Sequence, residues 1–157
     1  MPAEKEFMQL AIRKTREGIQ TGQTPFGAVV VRGSEVIASA HNRVWATCDP
    51  TAHAEVNAIR EAALQLHTID LKGTVMYTTC EPCPMCLTAI HWAKIDRVVY
   101  GAEIADAAKA GFHELHVSAV EMVTKGGSPL KVEGGLLREE CKRLFDEWLT
   151  AGKSKKY

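Results

Sequence analysis

The sequence predicts an α/β sandwich on a mixed sheet. Short β-branched or apolar runs alternate with helical patterns along most of the chain, which argues for strands joined by helical crossovers. The first two runs break that rule. They are joined by Gly33-Ser34, a hairpin turn, so one strand pair is antiparallel before the alternation begins. A length of 157 residues suits one domain with a real hydrophobic core.

The elements follow in order. Ala3 to Thr21 places Phe7, Leu10, Ala11 and Ile19 at helical spacing, and Gly22 supplies a stop. Ala28 to Val31 reads as a buried strand and Val36 to Ala40 as its antiparallel partner. Arg43 to Pro50 reads as loop, and Thr51 is an N-cap for a helix from Ala52 to about Leu66. After the connector Leu71 to Gly73, Val75 to Thr78 reads as a strand. Pro84 fits the first turn of a helix reaching about Ala93, because its missing N–H is not needed there. Arg97 to Tyr100 is a further strand, and Ala105 to Gly111 is rich in small residues and ambiguous. Gly126-Gly127-Ser128-Pro129 is the clearest break. Lys131 to Glu133 is a last short strand, and Gly134-Gly135 precede a final helix from Leu136 to about Leu149. Lys153, Lys155 and Lys156 read as a solvated basic tail.

Composition excludes several classes. Nearly half the residues are apolar and a quarter charged, an ordinary globular mix. Formal net charge is zero, which leaves no electrostatic footprint for bulk nucleic-acid or membrane binding. No apolar run approaches the length of a membrane span, and MPAEKEFMQLAIRK lacks a signal-peptide core. The expected compartment is the cytoplasm, where thiols stay reduced, and five cysteines are awkward for a disulfide framework.

Chemistry concentrates in two stretches. Cys80, Cys83 and Cys86 stand in TTCEPCPMCLTAI, each two residues from the next. An iron–sulfur clip needs a fourth cysteine where Ile90 stands, so it is disfavoured. Cys83-Pro84-Met85-Cys86 alone fits a redox pair, and buried structural thiols are the blander reading. The upstream TAHAEVNAIR changes the balance. His53 and Glu55 open one helix, and Cys83 and Cys86 open another, near strand ends. One imidazole and two thiolates make three zinc ligands, with the fourth position open as in catalytic sites. Helix N-termini favour the thiolates. Glu55, two residues from a ligand, suits a general acid/base, since two thiolates weaken the Lewis acidity of the metal. His53-Ala54-Glu55 with Pro82-Cys83-Pro84-Met85-Cys86 completes the H-x-E and P-C-x-x-C signature of zinc nucleobase deaminases.

With PFGAVVV before these motifs, residues Thr24 to about Phe112 resemble the cytidine deaminase superfamily. The stretches DPTAHAEVNAIR, YTTCEPCPMCLTAIHWA and DAAKAGF most resemble its bacterial guanine deaminases, together with the terminal tyrosine. The resemblance implies a three-layer α/β/α sandwich on a mixed five-stranded sheet, a single domain over residues 1–157 and one zinc ion per subunit. It implies a homodimer, with the C-terminal segment from about residue 127 exchanged between subunits. The implied reaction is hydrolysis of a cyclic amidine C–N bond, guanine to xanthine and ammonia, a step of purine catabolism. Water adds at the ring carbon bearing the amine, while Glu55 protonates the adjacent ring nitrogen and then the leaving amine. The implied substrate contacts are Asn42, Phe26, Ala54, Trp92, Glu114 and Tyr157.

Four of these contacts have a plainer reading. Asn42 suits a turn, Phe26 and Trp92 suit core, and Tyr157 suits a frayed end. Glu114 departs from the family pattern, which has Asp there, and the added methylene puts the preferred ring in question. The neighbouring His113 reads as an exposed surface residue. Cys80 reads as a packed neighbour of the site, Cys48 as loop and Cys141 as core or half-buried. The partner expected is a small nucleobase, with neither membrane nor nucleic acid. The alternatives are a tRNA adenosine deaminase, a deaminase of another ring such as cytosine or an amino-triazine, and a non-catalytic zinc scaffold with Cys80 as fourth ligand.

Overall fold

The computed structural model describes residues 2–153 and 155–157. Five strands form one sheet in the order β2-β1-β3-β4-β5. These are β1 (Gly27–Arg32), β2 (Glu35–His41), β3 (Val75–Cys80), β4 (Arg97–Ala102) and β5 (Lys131–Glu133). β1 pairs antiparallel with both β2 and β3, whereas β3, β4 and β5 run parallel. The expected hairpin is present, with Arg32 opposite Glu35 and Gly33 at φ +60°, a conformation glycine adopts without strain.

Strand alternation sorts the apolar residues into two layers. Ala28, Val30, Met76 and Val98 pack with α3 (Ala54–Leu66), α4 (Pro84–Trp92) and α6 (Ala119–Gly126). Val29, Val31, Tyr77 and Val99 pack with α1 (Pro2–Gln20), α5 (Ile104–Lys109) and α7 (Arg138–Thr150). The result is the three-layer sandwich. The first helix rides close on β1, since a Cβ at Gly27 would stand 2.6 Å from the Ala11 carbonyl oxygen. Among the described residues no helix is long and apolar enough to cross a membrane.

Two helices depart from the sequence expectation. A single turn, α2 (Val44–Thr47), lies inside the expected 43–50 loop. The stretch before Gly126, left without an element, contains α6, capped by Ser118, whose hydroxyl accepts from Glu121 N. The ambiguous 105–111 segment is largely α5, which a reciprocal capping box between Glu103 and Asp106 starts.

The topology brings distant segments to one end of the sheet. Because β1 is antiparallel to β3, Ala28 lies opposite Thr78, so Phe26 stands near the exit of β3. Gly27 faces His41, which brings Asn42 to the same end. The starts of α3 and α4 complete the group.

Candidate active site

His53 and Cys83 are the N-caps of α3 and α4, with extended backbones at φ −65°, ψ 157° and φ −64°, ψ 166°. Neither side chain caps its own helix. Both turn toward a common point, joined by Cys86 from the first turn of α4. His53 Nδ1 lies 3.7 Å from Cys83 Sγ and 3.4 Å from Cys86 Sγ. Two donors at ordinary zinc–nitrogen and zinc–sulfur lengths, set at a tetrahedral angle, stand about 3.5 Å apart. Among the described residues these three alone form a cluster able to hold a metal, their ligand atoms all within 4.8 Å of one another. Spacing and donor set both fit zinc.

The two thiols share charge unequally. Cys83 accepts from Cys86, and His53 lies beside it; together these bring Cys83 down to about 4 against the opposing effect of burial. Cys86 is pushed up by donating to Cys83 and by burial. Of the two, Cys83 favours the thiolate and Cys86 the thiol, so metal capture would release a proton.

Glu55 stands at the second position of α3, only 5% exposed. Burial, then the charge on Cys83, pushes its carboxyl above the usual range. Its Oε1 accepts from the Thr78 hydroxyl at 3.1 Å. That hydroxyl also lies 3.2 Å from the Cys80 carbonyl oxygen, so it has a second acceptor. Cys80 itself is buried, its thiol directed at the Glu103 carbonyl oxygen 3.7 Å away and held neutral chiefly by burial. It stands outside the metal cluster, which removes the fourth-ligand arrangement that a scaffold reading needs.

The ligands open onto a small hollow lined by Phe26, His53, Glu55, Glu81, Cys83, Glu114 and Tyr157. Phe26 is half-buried, its ring edge-on to Phe112 at 5.1 Å and to Phe145 at 5.8 Å, so it belongs to both core and hollow. Asn42 is fully buried; its Oδ1 accepts from Val44 N and its Nδ2 donates to the Tyr157 hydroxyl at 2.8 Å. Ala54 is fully buried at the first position of α3, where a backbone N–H has no partner within the helix. Glu114 faces the hollow, and burial together with the charges on Cys83 and Glu55 raises it to about 7. His113 beside it is exposed, as expected.

Tyr157 covers the hollow. Its ring lies 5.6 Å from His53 and 5.8 Å from Phe112. The lysines of the tail are exposed, as expected, but the tail is also tethered from outside the site by Trp45. The indole Nε1 donates to the Lys155 carbonyl oxygen at 2.8 Å, and Lys155 Nζ sits 3.9 Å above the ring. With the tail seated, the hollow is about 20 Å³. That is room for about one water, and a ring of purine size would need the tail displaced.

Trp92 is a correction to the expected substrate contacts. It is 76% exposed and lines a separate hollow of about 610 Å³ with Lys72, Asp96 and Lys131, at the other ends of β3–β5. α4 carries it nine residues beyond Cys83, about 13 Å along the helix axis. Sequence reasoning missed Thr78, Glu81 and Trp45. Thr78 and Glu81 flank Cys80 in the motif itself, but nothing local names their partners.

Comparison with known proteins agrees with this geometry. Residues 1–102 match the family model described as the cytidine and deoxycytidylate deaminase zinc-binding region. The guanine deaminase of Bacillus subtilis (strain 168) is 49% identical over 109 residues, 69% of this chain and 70% of that one. The tRNA-specific adenosine deaminase of the same organism is 31% identical over 156 residues, 99% of this chain and 94% of that one. The structure of guanine deaminase from Nitrosomonas europaea superposes with a TM-score of 0.84 at 28% identity, covering 92% of this chain and 83% of that one.

Proposed function

The chain belongs to the cytidine and deoxycytidylate deaminase zinc-binding family, and on that premise we propose that it deaminates a free nucleobase, guanine, to xanthine and ammonia. The observation that carries the choice of a free base is the cover over the site. Tyr157 lies across the hollow with its hydroxyl on Asn42. A free base can be enclosed wholly beneath such a cover, whereas a nucleotide in a strand must leave a path for its backbone. Enclosure also excludes bulk water and strengthens every polar contact inside.

His53, Cys83 and Cys86 would hold the zinc, which would supply Lewis acidity. The other steps belong to side chains. Glu55 receives one proton of the attacking water and delivers it to the ring nitrogen beside the reacting carbon; it then takes the remaining hydroxyl proton of the adduct and delivers it to the amine, which leaves as ammonia when the C–N bond breaks. Burial, then the charge on Cys83, makes the Glu55 carboxyl hold a proton more readily than an exposed glutamate does, which suits a group that must both take and give one. Thr78 holds one carboxylate oxygen, leaving the other to face the substrate. Phe26 presents an aromatic surface to the ring. Asn42 Nδ2 donates to the purine once Tyr157 yields that contact. Glu114 accepts from ring N–H groups.

The tRNA reading keeps one specific support, a match to a tRNA-specific adenosine deaminase over nearly the full chain. Ammonia release by zinc-loaded protein, scanned over guanine, adenine, cytosine, their nucleosides, amino-triazines and tRNA, separates the two. Fast turnover of guanine supports the proposal. Turnover confined to tRNA, with salt-sensitive binding, overturns it.

A further inference from the structure

Glu81 stands between β3 and the metal-binding turn, two residues before Cys83, and is 8% exposed. A carboxylate so enclosed needs donors to replace water. Each of its oxygens takes one backbone N–H: Oε2 from Ile104 at 3.1 Å and Oε1 from Ala119 at 2.9 Å. These two amides open α5 and α6, where first-turn N–H groups have no intrahelical partner. The Glu81 backbone is itself fixed, its N–H donating to the Ala102 carbonyl oxygen at 2.8 Å. Between Ile104 and Ala119 the chain carries Phe112, a wall beside Tyr157 and Phe26, and Glu114, which lines the hollow. One side chain therefore pins both ends of the segment whose middle meets the substrate, and it hangs that segment from the turn that carries Cys83.

We propose that Glu81 is a positioning residue for substrate recognition. It is a two-pronged staple that sets where Glu114 stands relative to the metal ligands. The proposal rests on the reading of Glu114 as the acceptor for ring N–H groups. A staple serving only to hold the fold together weakens stability, but its effect on recognition does not pass through Glu114.

The test is a double-mutant cycle of Glu81→Gln with Glu114→Ala, read as KM and kcat on guanine, with zinc content and melting temperature measured alongside. Glutamine offers one carbonyl oxygen and sets an N–H against the other backbone donor. Losing a charge-assisted contact of this kind predicts a KM rise of about tenfold, with kcat within about threefold. In the Glu114→Ala background the same change moves kcat/KM by less than about twofold. An equal loss in both backgrounds overturns the proposal. Ala119→Pro supplies a second cut that deletes the donor without touching Glu81, although it adds ring atoms at a fully buried position. Proline is favoured at the first helical position, and Ser118 before it is already extended at φ −71°, ψ 155°. If Glu81→Gln fails to fold or loses zinc, this variant carries the same cycle, and an unchanged KM in it overturns the proposal. Hydrogen exchange reads the staple without substrate. Faster exchange of the Ile104 and Ala119 amides in Glu81→Gln is expected, and unchanged exchange defeats the staple. Absence of guanine turnover by the wild type defeats the guanine reading instead and leaves the exchange result standing; the cycle then runs on whichever ring is deaminated.

Discussion

The phenol oxygen of Tyr157 lies 2.8 Å from Nδ2 of Asn42, a residue 115 positions earlier. In the closed arrangement the tyrosine thus occupies a donor that the proposed substrate needs. On the proposed function, opening and closing of the tail would be part of every turnover, with the Trp45 contacts opposing opening. Trp45→Phe keeps an aromatic face under Lys155 and loses the indole N–H. Expected is a KM several-fold higher with kcat nearly unchanged, since one hydrogen bond is worth about 1 kcal/mol. Deleting Lys155 to Tyr157 removes the cover and is expected to lower kcat by about tenfold or more. Mixing that deletion with Glu55→Gln shows whose site the tail closes. Regained activity in the mixture indicates exchange between subunits of a dimer, and none indicates closure of the chain's own site.

Replacing Glu55 with Gln preserves shape and removes the proton carrier. Turnover is expected to fall by roughly 10²–10⁴-fold while zinc stays at one per chain. Metal analysis beside the ammonia assay checks both halves. Retained turnover would sink the assigned mechanism.

Thr78→Val is nearly isosteric and deletes the hydroxyl that holds Glu55 Oε1. Expected is a kcat loss of about tenfold with KM little changed, because losing a hydrogen bond to a charged group costs about 1.5–3 kcal/mol. A change in KM alone would show that Thr78 acts on binding instead.

Zinc removal tests the link between metal and fold. Stripping with a chelator is expected to lower the melting temperature, and His53→Ala is expected to abolish both zinc binding and the chelator effect. Calorimetry with and without chelator reads this directly.

Glu114 gives a pH signature in the metal-free protein. Its folded value is about 7 against 4.5 for the free side chain, raised by burial and then by the charges on Cys83 and Glu55. The fold therefore favours the neutral acid. That contribution is fully present below the unfolded value and is lost as pH rises through about 7. Between pH 5 and pH 8 the urea midpoint of the wild type is expected to fall relative to that of Glu114→Gln. Parallel curves would place Glu114 away from those charges.

Much of the site was legible because its chemistry is local. His53 and Glu55 share one helix start, Cys83 and Cys86 another, so short spacings report the metal donors directly. The five strands fell within about two residues of their predicted ends, as the apolar alternation and flanking glycines define them. Other features need the fold before they have meaning. Nothing near Glu81 names Ile104 or Ala119, and nothing near Trp45 names Lys155. Trp92 follows the metal motif in sequence, yet helix rise carries it to another surface. The missed α6 is different, because Ser118 followed by Glu121 is a helix-start pattern present in the sequence.

The two helices that carry the metal ligands begin at those ligands, and neither His53 nor Cys83 caps its own helix. Metal capture would therefore tie the two helix starts together, and that tie cannot form during synthesis until Cys86, 33 residues after His53, has left the ribosome. Zinc supply would then bear on how many copies of the chain survive as well as on how fast each copy works.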